Sequence, residues 1–355
     1  MILFDYKIFF LQKYGGISRY IIELSKKLKE NNIDNLIQAF IHKNIYLRDQ
    51  DVSKSKNFYL NDYPKYTRKI INYLNSYNFE SKSKDNKYKI FHNTYYSDYK
   101  LNPKMNKITS VYDFTHEIFS KEYNYKKEIK KKAIKNSDHI ICISENTKND
   151  LMKYYNIDEK NVSVVYLGGD HLPKPKVFSN TKQYILYVGF RGKYKNFDLL
   201  LNSFSQSKKL KDTIEIICFG DVPFTKYELS KIESFGLSGK VKHIIGDDQL
   251  LADLYNSAQC HVITSKYEGF GMTATEAYNF NCPVLYNYTS SLKEIGFKKA
   301  SFDGNSEQLS LLLENVLFLN DFKEELIKKG NELKKKFNWQ NSFIDTLNVY
   351  KKFGL

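Results

Sequence analysis

One segment of this 355-residue chain carries two carboxylates around a glycine-rich turn: Glu268, Gly269, Phe270 and Gly271, followed by Glu276. It stands between an apolar run and a helical pattern, where parallel sheets bind ligands. Glycines let the backbone approach a ligand closely, and a helix N-terminus offers N–H groups to phosphate. Acidic side chains suit hydroxyl groups, so Glu276 fits a ribose diol and Glu268 a sugar ring. The alternative is a helix start with ordinary N-terminal acids.

A pair of cations, Arg191 and Lys195, stands at a second junction between a strand and a helix, in the segment from Tyr187 to Asn196. Both side chains are cationic at neutral pH, and arginine binds phosphate oxygens bidentately. Alone they would be unremarkable surface cations. Together with the two glutamates they predict a pocket for a nucleoside diphosphate.

A third strand-to-helix turn contains Gly15 and Gly16, directly before a helical pattern that starts near Ile17. The glycine pair permits close backbone approach, and the helix end suits an anion. This signal is weak by itself, because many turns of this kind carry two glycines.

The elements that must hold these turns alternate between short apolar strands and helical segments. The strands are expected at Met1–Asp5, Leu36–Ile41, Lys89–His92, Lys107–Tyr112, His139–Ile143, Val162–Tyr166, Tyr184–Gly189, Glu215–Phe219, Val241–Ile244, Cys260–Thr264 and Pro283–Tyr286. Such a rhythm is typical of parallel sheets covered on both faces. Two series of strands predict two Rossmann-like, doubly wound α/β domains.

The domain boundary is expected at a glycine- and proline-containing linker, residues 168–182. The first domain is placed at 1–170 and the second at 183–338. Residues 339–355 read as a closing helix that packs on the rest of the chain. The polar segment 46–87 reads as an insertion with one weak helix around Tyr66–Tyr77. Its Asp49-Gln50-Asp51 resembles a metal-binding motif but is interpreted as a solvated acidic loop.

Composition and charge restrict the class of protein. An apolar share of 42% with 27% charged residues is typical of a globular chain, and no apolar run reaches the length of a membrane span. The four cysteines are widely spaced and are expected to be buried thiols, which favours the cytoplasm. No leader peptide is recognised at the N-terminus.

The net charge of +15 has three interpretations: lysines on solvated faces, attraction to an anionic membrane, or nucleic-acid binding. The stretch 126–135 places Ile129, Ala133 and Ile134 at helical spacing among lysines, which predicts a basic amphipathic helix. Packing on its own domain is the simpler expectation, and membrane contact is the second. A nucleic-acid partner is not expected, because neither a reading helix nor a groove of interleaved basic and aromatic residues is recognised.

The strings above resemble the family 4 retaining glycosyltransferases with the GT-B fold, in particular the mannosyl- or rhamnosyltransferases of O-antigen and capsule assembly. The resemblance covers nearly the whole chain, through Phe4-Asp5, Gly15 to Tyr20, Val111 to Glu117, Ile143 to Thr147, Tyr187 to Asn196, Glu268 to Glu276, Cys282 to Val284 and Ser290 to Glu294. The most specific part is the block from Glu268 to Glu276 with its upstream arginine and lysine. Tyr112 departs from the family, which often has histidine there.

The resemblance implies two domains that face each other across a cleft, the first binding the acceptor and the second the donor. It implies that Glu268 holds the donor sugar and Glu276 the ribose, while Arg191 and Lys195 neutralise the diphosphate, with Gly15 and Gly16 facing it. Asp113 and His116 would line the acceptor side and compete for any proton-transfer role. The closing helix would cross back to the first domain.

The expected reaction is transfer of a hexose from a nucleoside-diphosphate sugar to a hydroxyl of a glycan or lipid-linked glycan, with retention implied by the family. No cofactor other than this co-substrate is expected. Because cations and helix ends can stabilise the leaving diphosphate, a metal-independent mechanism is expected as well. Another GT-B activity, such as a sugar-nucleotide epimerase or phosphorylase, and a catalytically idle scaffold are the alternatives.

Overall fold

The computed structural model describes residues 1–49, 57–121, 127–176 and 182–355. Two compact units divide the chain: the first contains 1–167 and 339–355, and the second contains 168–338. The segment 168–176, expected in the linker, therefore belongs to the second unit. In the described ranges no helix has the length and apolarity needed to cross a membrane.

The first unit is built on a six-stranded parallel sheet with the order β2-β1-β5-β6-β7-β8. Its strands, with the separate parallel pair β3 and β4, are β1 Ile2–Phe4, β2 Asn35–Ile37, β3 Ile41–His42, β4 Phe58–Tyr59, β5 Ile90–Asn93, β6 Asn106–Val111, β7 His139–Cys142 and β8 Val162–Val164. The expected strand 36–41 is thus split, since Ile41–His42 leaves the main sheet to pair with β4.

The helices of the first unit are α1 Lys7–Leu11, α2 Gly16–Glu30, α3 Ile45–Arg48, α4 Arg68–Ser83, α5 Thr115–Ile118, α6 Lys127–Lys135 and α7 Glu145–Tyr155. The weak helix expected around 66–77 is α4, which starts and ends later than the pattern indicates. A short 3₁₀ turn covers Glu159–Asn161.

The second unit repeats the plan with the parallel order β11-β10-β9-β12-β13-β14. Its strands are β9 Tyr184–Val188, β10 Glu215–Phe219, β11 Val241–Ile244, β12 Cys260–Ile263, β13 Val284–Asn287 and β14 Ser301–Phe302. Its helices are α8 Phe197–Gln206, α9 Lys208–Thr213, α10 Lys226–Ser234, α11 Asp248–Ser257, α12 Met272–Asn279, α13 Leu292–Ile295, α14 Ser306–Phe318 and α15 Asn320–Lys336.

The last helix, α16 Trp339–Lys351, belongs to the first unit and packs on α2. Trp339 stacks on Tyr20 with ring centroids 6.3 Å apart. Tyr350 bonds to the buried His92, whose Nδ1 lies 2.5 Å from the phenol oxygen and whose Nε2 lies 2.7 Å from Ser110 Oγ. The core of the first unit is therefore completed by the end of the chain.

Both sheets reverse their strand order once. In the first sheet the chain runs outward from β1 to β2 on one side and from β5 to β8 on the other. In the second sheet it runs from β9 to β11 on one side and from β12 to β14 on the other. Open α/β sheets bind ligands at the point where the strand order reverses, in the crevice beyond the carboxyl ends of the two central strands. It lies between β1 and β5 in one unit and between β9 and β12 in the other.

Candidate active site

The crevice of the second unit brings together the two strand-end motifs found in the sequence. Lys195 lies in a 3₁₀ turn, Lys193–Lys195, that follows β9, and Glu268 lies in the loop that follows β12. Lys195 Nζ is 2.7 Å from Glu268 Oε1. Residues 73 positions apart in sequence thus form one ion pair, because their strands are neighbours in the sheet.

Hydroxyl groups hold this ion pair in place. Ser265 Oγ donates to Glu268 Oε1 at 2.6 Å, and Ser290 Oγ accepts from the Glu268 backbone N–H at 2.8 Å. Thr264 Oγ1 donates to the Lys195 carbonyl at 2.7 Å, which fastens the turn after β9 to the end of β12. Both charged side chains are therefore positioned before any ligand binds.

The electrostatic balance keeps Lys195 protonated. Burial alone would lower the pKa of its ammonium group, but the adjacent Glu268 carboxylate outweighs burial, so the pKa lies above its usual value. Lys195 is a cation at any physiological pH. A diphosphate that binds it must share it with Glu268.

The glycine turn between Glu268 and α12 is tightly packed. Gly271 has φ of +99°, and a Cβ there would lie 2.8 Å from the side chains of Leu292 and Ile295, so glycine is required twice over. Gly269 and Phe270 are buried, and the Phe270 ring packs edge-on against Phe337. Phe270 thus supports the turn from inside the unit.

Ser291, which belongs to the stretch Ser290 to Glu294 that carries part of the family resemblance, holds the same turn. Its Oγ donates toward the carbonyl oxygens of Glu268 and Phe270, at 2.8 and 2.9 Å. The loop that follows β13 therefore fixes the loop that follows β12.

Glu276 lies in α12 with a side chain only 6% exposed. Tyr255 donates to Glu276 Oε2 at 3.0 Å, and His171 Nε2 lies 3.4 Å from Oε1. Burial and then the Glu276 charge raise the pKa of the Tyr255 phenol, so Tyr255 stays a hydrogen-bond donor. The carboxylate is held from α11 on one side and from segment 168–176 on the other.

That segment approaches α12 at Gly169. A Cβ at this position would lie 2.3 to 2.6 Å from backbone atoms of Thr275 and Glu276, which excludes every other residue without a shift of the backbone. Gly169, which the sequence places in the linker, therefore seats His171 beside Glu276. The sequence offered only a neighbouring histidine as a signal of this role.

Arg191 is placed differently from Lys195. It is 5% exposed, its Nε lies 2.8 Å from Glu228 Oε1, and its Nη2 donates to the carbonyls of Val222 and Pro223 at 2.6 and 3.0 Å. Glu228 also forms a capping box with Thr225 at the start of α10. The structure thus brings Lys195 to Glu268 and brings Arg191 to Glu228, where it supports the loop 221–225.

In the first unit, Gly15 is the N-cap of α2 with φ of +156°. A Cβ on it would lie 2.5 Å from Gln12 Oε1, which itself accepts from the Ser18 N–H at 3.3 Å. The Gln12 amide is the end of a flexible side chain that can move, so it is the positive φ that favours glycine here. Gly16 begins the helix, as its motif predicts.

Asp113 and His116 follow β6, at the carboxyl end of the first sheet. Asp113 Oδ1 accepts from the Thr115 N–H at 2.9 Å, which starts the short helix α5 that contains the half-buried His116. The Asp113 carbonyl accepts a hydrogen bond from Lys130 Nζ at 2.6 Å. Asp113 is thus fixed through both its side chain and its backbone.

Lys130 comes from the predicted basic helix, and the structure corrects the face assigned to that helix. Ile129, expected on the packed face, is 49% exposed, whereas Lys130 is 2% exposed and packs with Ala133 and Ile134. Positions 130, 133 and 134 share one helical face, and Glu117 makes burial of the lysine possible by pairing with it at 3.0 Å. Lys126 and the side chain of Lys127 lie outside the described part.

Tyr155 completes this buried group by donating to Glu117 Oε1 at 2.8 Å. Burial lowers the pKa of the Lys130 ammonium, while the carboxylates of Asp113 and Glu117 oppose the shift. Sequence analysis missed this group, because one of the six lysines in the stretch 126–135 looks solvated.

The candidate metal motif has no support in the part that is described. Asp49 pairs with the adjacent, exposed Arg48, and positions 50 and 51 lie outside the described residues. Across the described ranges, no group of three or more histidine, cysteine, aspartate or glutamate side chains is arranged to hold a metal ion.

Two family models match the chain, one for each half. Residues 14–171 match Glycosyltransferase Family 4, and residues 169–333 match Glycosyl transferases group 1. The two matches meet within three residues of the boundary between the structural units.

Curated relatives match over part of their length. An uncharacterized glycosyltransferase of Methanocaldococcus jannaschii is 30% identical over 63% of this chain and 62% of its own. The O-antigen chain mannosyltransferase RfbU of Salmonella typhimurium is 29% identical over 44% of this chain and 43% of its own. The matched segments thus span less than two thirds of these relatives.

Among solved structures, HepE of Anabaena in complex with UDP-glucose superposes with a TM-score of 0.75 at 14% identity, over 99% of both chains. At this identity the likeness concerns the fold, which is the GT-B fold that the sequence predicts.

Proposed function

Because the chain belongs to the family 4 glycosyltransferases, we propose that it transfers a hexose from a nucleoside-diphosphate sugar to a hydroxyl of a glycan or lipid-linked glycan, in the assembly of a surface polysaccharide or lipopolysaccharide. The observation that carries the proposal is the Lys195–Glu268 ion pair with its fixed hydroxyl partners in the crevice between β9 and β12. Mannose is the first sugar to test, because the Salmonella relative is named as a mannosyltransferase.

The donor groups have separate tasks in this proposal. Lys195 and the N-terminus of α12 stabilise charge on the diphosphate, and Arg191 adds a second cation from beside the same crevice. The Gly15-Gly16 turn keeps its predicted part in phosphate binding. Glu276 accepts hydrogen bonds from the ribose diol, positioned by Tyr255 and His171.

In the proposed reaction the acceptor oxygen forms a bond to the sugar C1 while the bond from C1 to the β-phosphate oxygen breaks. The electron pair of the broken bond stays on the phosphate, where fixed cations stabilise it. With attack on the same face, the acceptor proton passes to the leaving phosphate and configuration is retained. Glu268 holds the sugar, and Asp113 and His116 orient the acceptor hydroxyl. A resident metal ion has no task in this scheme, so activity is expected to survive EDTA.

We place the enzyme in the cytoplasm, with contact to the inner face of the membrane through α6. The contact would use Ile129 and the lysines Lys131, Lys132 and Lys135, all exposed in the structure. Anionic vesicles attract such a surface by about 1 kcal/mol per lysine. If a Lys131→Gln/Lys132→Gln variant co-sediments with anionic vesicles less than the wild type does, the membrane contact is supported. Unchanged co-sedimentation would remove α6 from the proposal.

The experiment that tests the donor assignment compares ribose with deoxyribose. A thermal-shift panel of GDP, UDP and their sugars first identifies the base, because a ligand that binds the native state raises stability by mass action. The wild type should then bind the chosen nucleoside diphosphate about tenfold more tightly than its 2′-deoxy form, since one charge-assisted hydrogen bond is lost.

Glu276→Gln should bind both nucleotides weakly and with equal affinity, because its neutral amide no longer selects for the diol. Tyr255→Phe, which removes only the positioning hydroxyl, is the matched control and should retain part of the discrimination. If no nucleoside diphosphate or nucleotide sugar stabilises the wild type, the proposed function is wrong. Product analysis then separates sugar transfer from epimer formation.

A further inference from the structure

The crevice between β1 and β5 of the first unit has a polar floor. Asp5, which follows β1, is fully buried and accepts from the Thr94 N–H at 3.1 Å and from Ser97 Oγ at 3.1 Å. It also accepts from the Lys7 N–H at 3.4 Å, at the start of α1. The Asp5 oxygens are therefore engaged, and Lys7 is carried to the mouth of the crevice.

A cavity of about 560 Å³ opens next to Lys7, within the size range of small-ligand sites. Its lining combines cations and aromatic rings: Lys7, Phe10, Tyr66, Arg68, Lys69 and Asn72. Lys7 Nζ donates to Asn72 Oδ1 at 3.2 Å, which aims the ammonium along the cavity wall. Within the described ranges, none of the three cations forms an ion pair with a carboxylate.

The cavity also lies at the N-terminus of the 16-residue helix α4, where the side chains are positively charged. Arg68 and Lys69 occupy its first turn, which contains no acidic residue. Thr67 does not cap the helix, because its hydroxyl donates to the Pro64 carbonyl at 2.8 Å. Cations at a helix N-terminus oppose the helix dipole. An anion with several acceptor oxygens relieves this repulsion.

Beyond the cavity, α4 displays an apolar stripe to solvent. Ile70, Tyr73, Leu74 and Tyr77 follow the i, i+3, i+4, i+7 spacing of one helical face and are 62%, 68%, 40% and 68% exposed. Tyr66 precedes the stripe and is 95% exposed, with φ of +66°, a conformation that aromatic residues rarely adopt. A continuous exposed apolar face of this kind marks a binding surface.

We propose that this cavity binds the phosphate of an anionic amphiphile, whose apolar chain lies along the exposed stripe of α4. The inference rests on the proposed function, because it assigns the acceptor to the class of phosphate-linked lipids. Tyr112, the neighbour of Asp113, donates to the Thr94 carbonyl at 2.9 Å, and the Thr94 N–H donates to Asp5, so hydrogen bonds connect the floor of this crevice to the predicted acceptor residues of the same unit.

The test measures binding of octyl phosphate to the full chain by calorimetry, with octyl glucoside and inorganic phosphate as partial ligands. Octyl phosphate should bind at least tenfold more tightly than either, because octyl glucoside lacks the phosphate and inorganic phosphate lacks the apolar chain. Equal binding of inorganic phosphate would overturn the role of the stripe, and equal binding of octyl glucoside would overturn the phosphate site.

Two variants separate the halves of the site. Arg68→Gln/Lys69→Gln should lower octyl phosphate affinity at least tenfold, and Ile70→Ser/Tyr73→Ser should lower it while leaving inorganic phosphate unaffected. All four positions are exposed, so the fold should persist. The matched control is Lys208→Gln/Lys209→Gln, which removes two exposed lysines from the first turn of α9 and should change nothing.

Donor binding measured on the same proteins keeps the two proposals apart. If nucleoside diphosphates bind the wild type but octyl phosphate does not, only this inference fails. If octyl phosphate binds and nucleoside diphosphates do not, the proposed transfer reaction fails and the phosphate site stands. Unchanged octyl phosphate binding in the Arg68→Gln/Lys69→Gln variant would overturn the site itself.

Discussion

The two sheet crevices of this chain share one topology but differ in how their polar groups are arranged. Between β9 and β12 the charged groups are paired and held: Lys195 pairs with Glu268, Ser265 Oγ donates to the Glu268 carboxylate, and Ser290 Oγ accepts from the Glu268 backbone N–H. Between β1 and β5 the polar groups are sealed beneath the surface around Asp5, and the accessible part is a cavity with three cations. One crevice presents fixed charges, and the other presents an open surface.

The difference fits the two ligands that we propose, a nucleoside diphosphate in the second unit and an anionic amphiphile in the first. A diphosphate leaving group develops charge at a defined place, so a site with little freedom to reorganise stabilises it best. An amphiphilic acceptor has a long apolar part without directional bonds, so exposed rings on α4 serve it better than a closed network. Fixed polar groups suit departure of the diphosphate, and exposed apolar groups suit binding of the apolar part of the acceptor.

The largest effect is expected when the ion pair of the second unit is broken. Lys195→Ala should lower kcat by about 10²- to 10³-fold, because a fixed cation is removed from the place where negative charge grows. Steady-state kinetics with the identified donor measures this loss.

Lys193→Gln, which changes an exposed lysine of the same 3₁₀ turn, serves as the control and should remain active. A Lys195→Ala enzyme with wild-type turnover would show that the fixed network is only structural. The contrast between the two crevices would then lose its functional meaning.

A smaller effect concerns Arg191, which the sequence pairs with Lys195 and the structure pairs with Glu228. Arg191→Ala should destabilise the second unit by about 3 kcal/mol, because it leaves a buried carboxylate without its partner. Urea unfolding measures this loss, and kinetics below the unfolding range measures any separate loss of donor affinity.

Glu228→Gln distinguishes the two roles of Arg191. If Arg191 also binds the diphosphate, only Arg191→Ala should weaken donor binding, while both variants lose stability. If Glu228→Gln weakens donor binding equally, Arg191 acts by holding the loop 221–225, and Lys195 is the principal cation of the site.

The smallest effect tests the first unit through pH. Burial lowers the pKa of His92 from 6.5 to about 3, so the unfolded chain takes up a proton at higher pH than the native state does. The stability contributed by neutral His92 is complete above pH 6.5 and is lost as the pH falls toward 3. From pH 7 to pH 5, this one group costs about 2 kcal/mol of the free energy of unfolding.

The corresponding variant is His92→Gln, which has no titrating ring at this position. Its free energy of unfolding should fall by about 2 kcal/mol less than that of the wild type between pH 7 and pH 5. Other buried histidines titrate in both proteins and cancel in the comparison. Parallel pH dependence of the two proteins would mean that His92 is not held neutral in the fold.

The sequence predicts the strands and the strand-end motifs well, because both depend on local patterns. Alternation of apolar runs with helical segments indicates two parallel sheets, and glycines beside Glu268 and before α2 mark two of the turns between a strand and a helix. These inferences need no knowledge of which strands are neighbours.

The partners of the site residues could not be predicted in this way. Tyr255 and His171 meet Glu276 only because α11 and segment 168–176 pack against α12, and Gly169 looked like a linker residue. The burial of Lys130 is not predictable from helical periodicity, which ranks side chains by polarity. Its burial depends on Glu117, a residue brought close by tertiary packing.

The closing helix α16 has a consequence for biosynthesis. Synthesis from the N-terminus supplies every residue of the second unit before it supplies Trp339 or Tyr350, so the core of the first unit is complete only after α16 has been made. Trp339 is the single tryptophan of the sequence and stacks on Tyr20. Its fluorescence therefore reports when α16 packs on the first unit, during translation or during refolding.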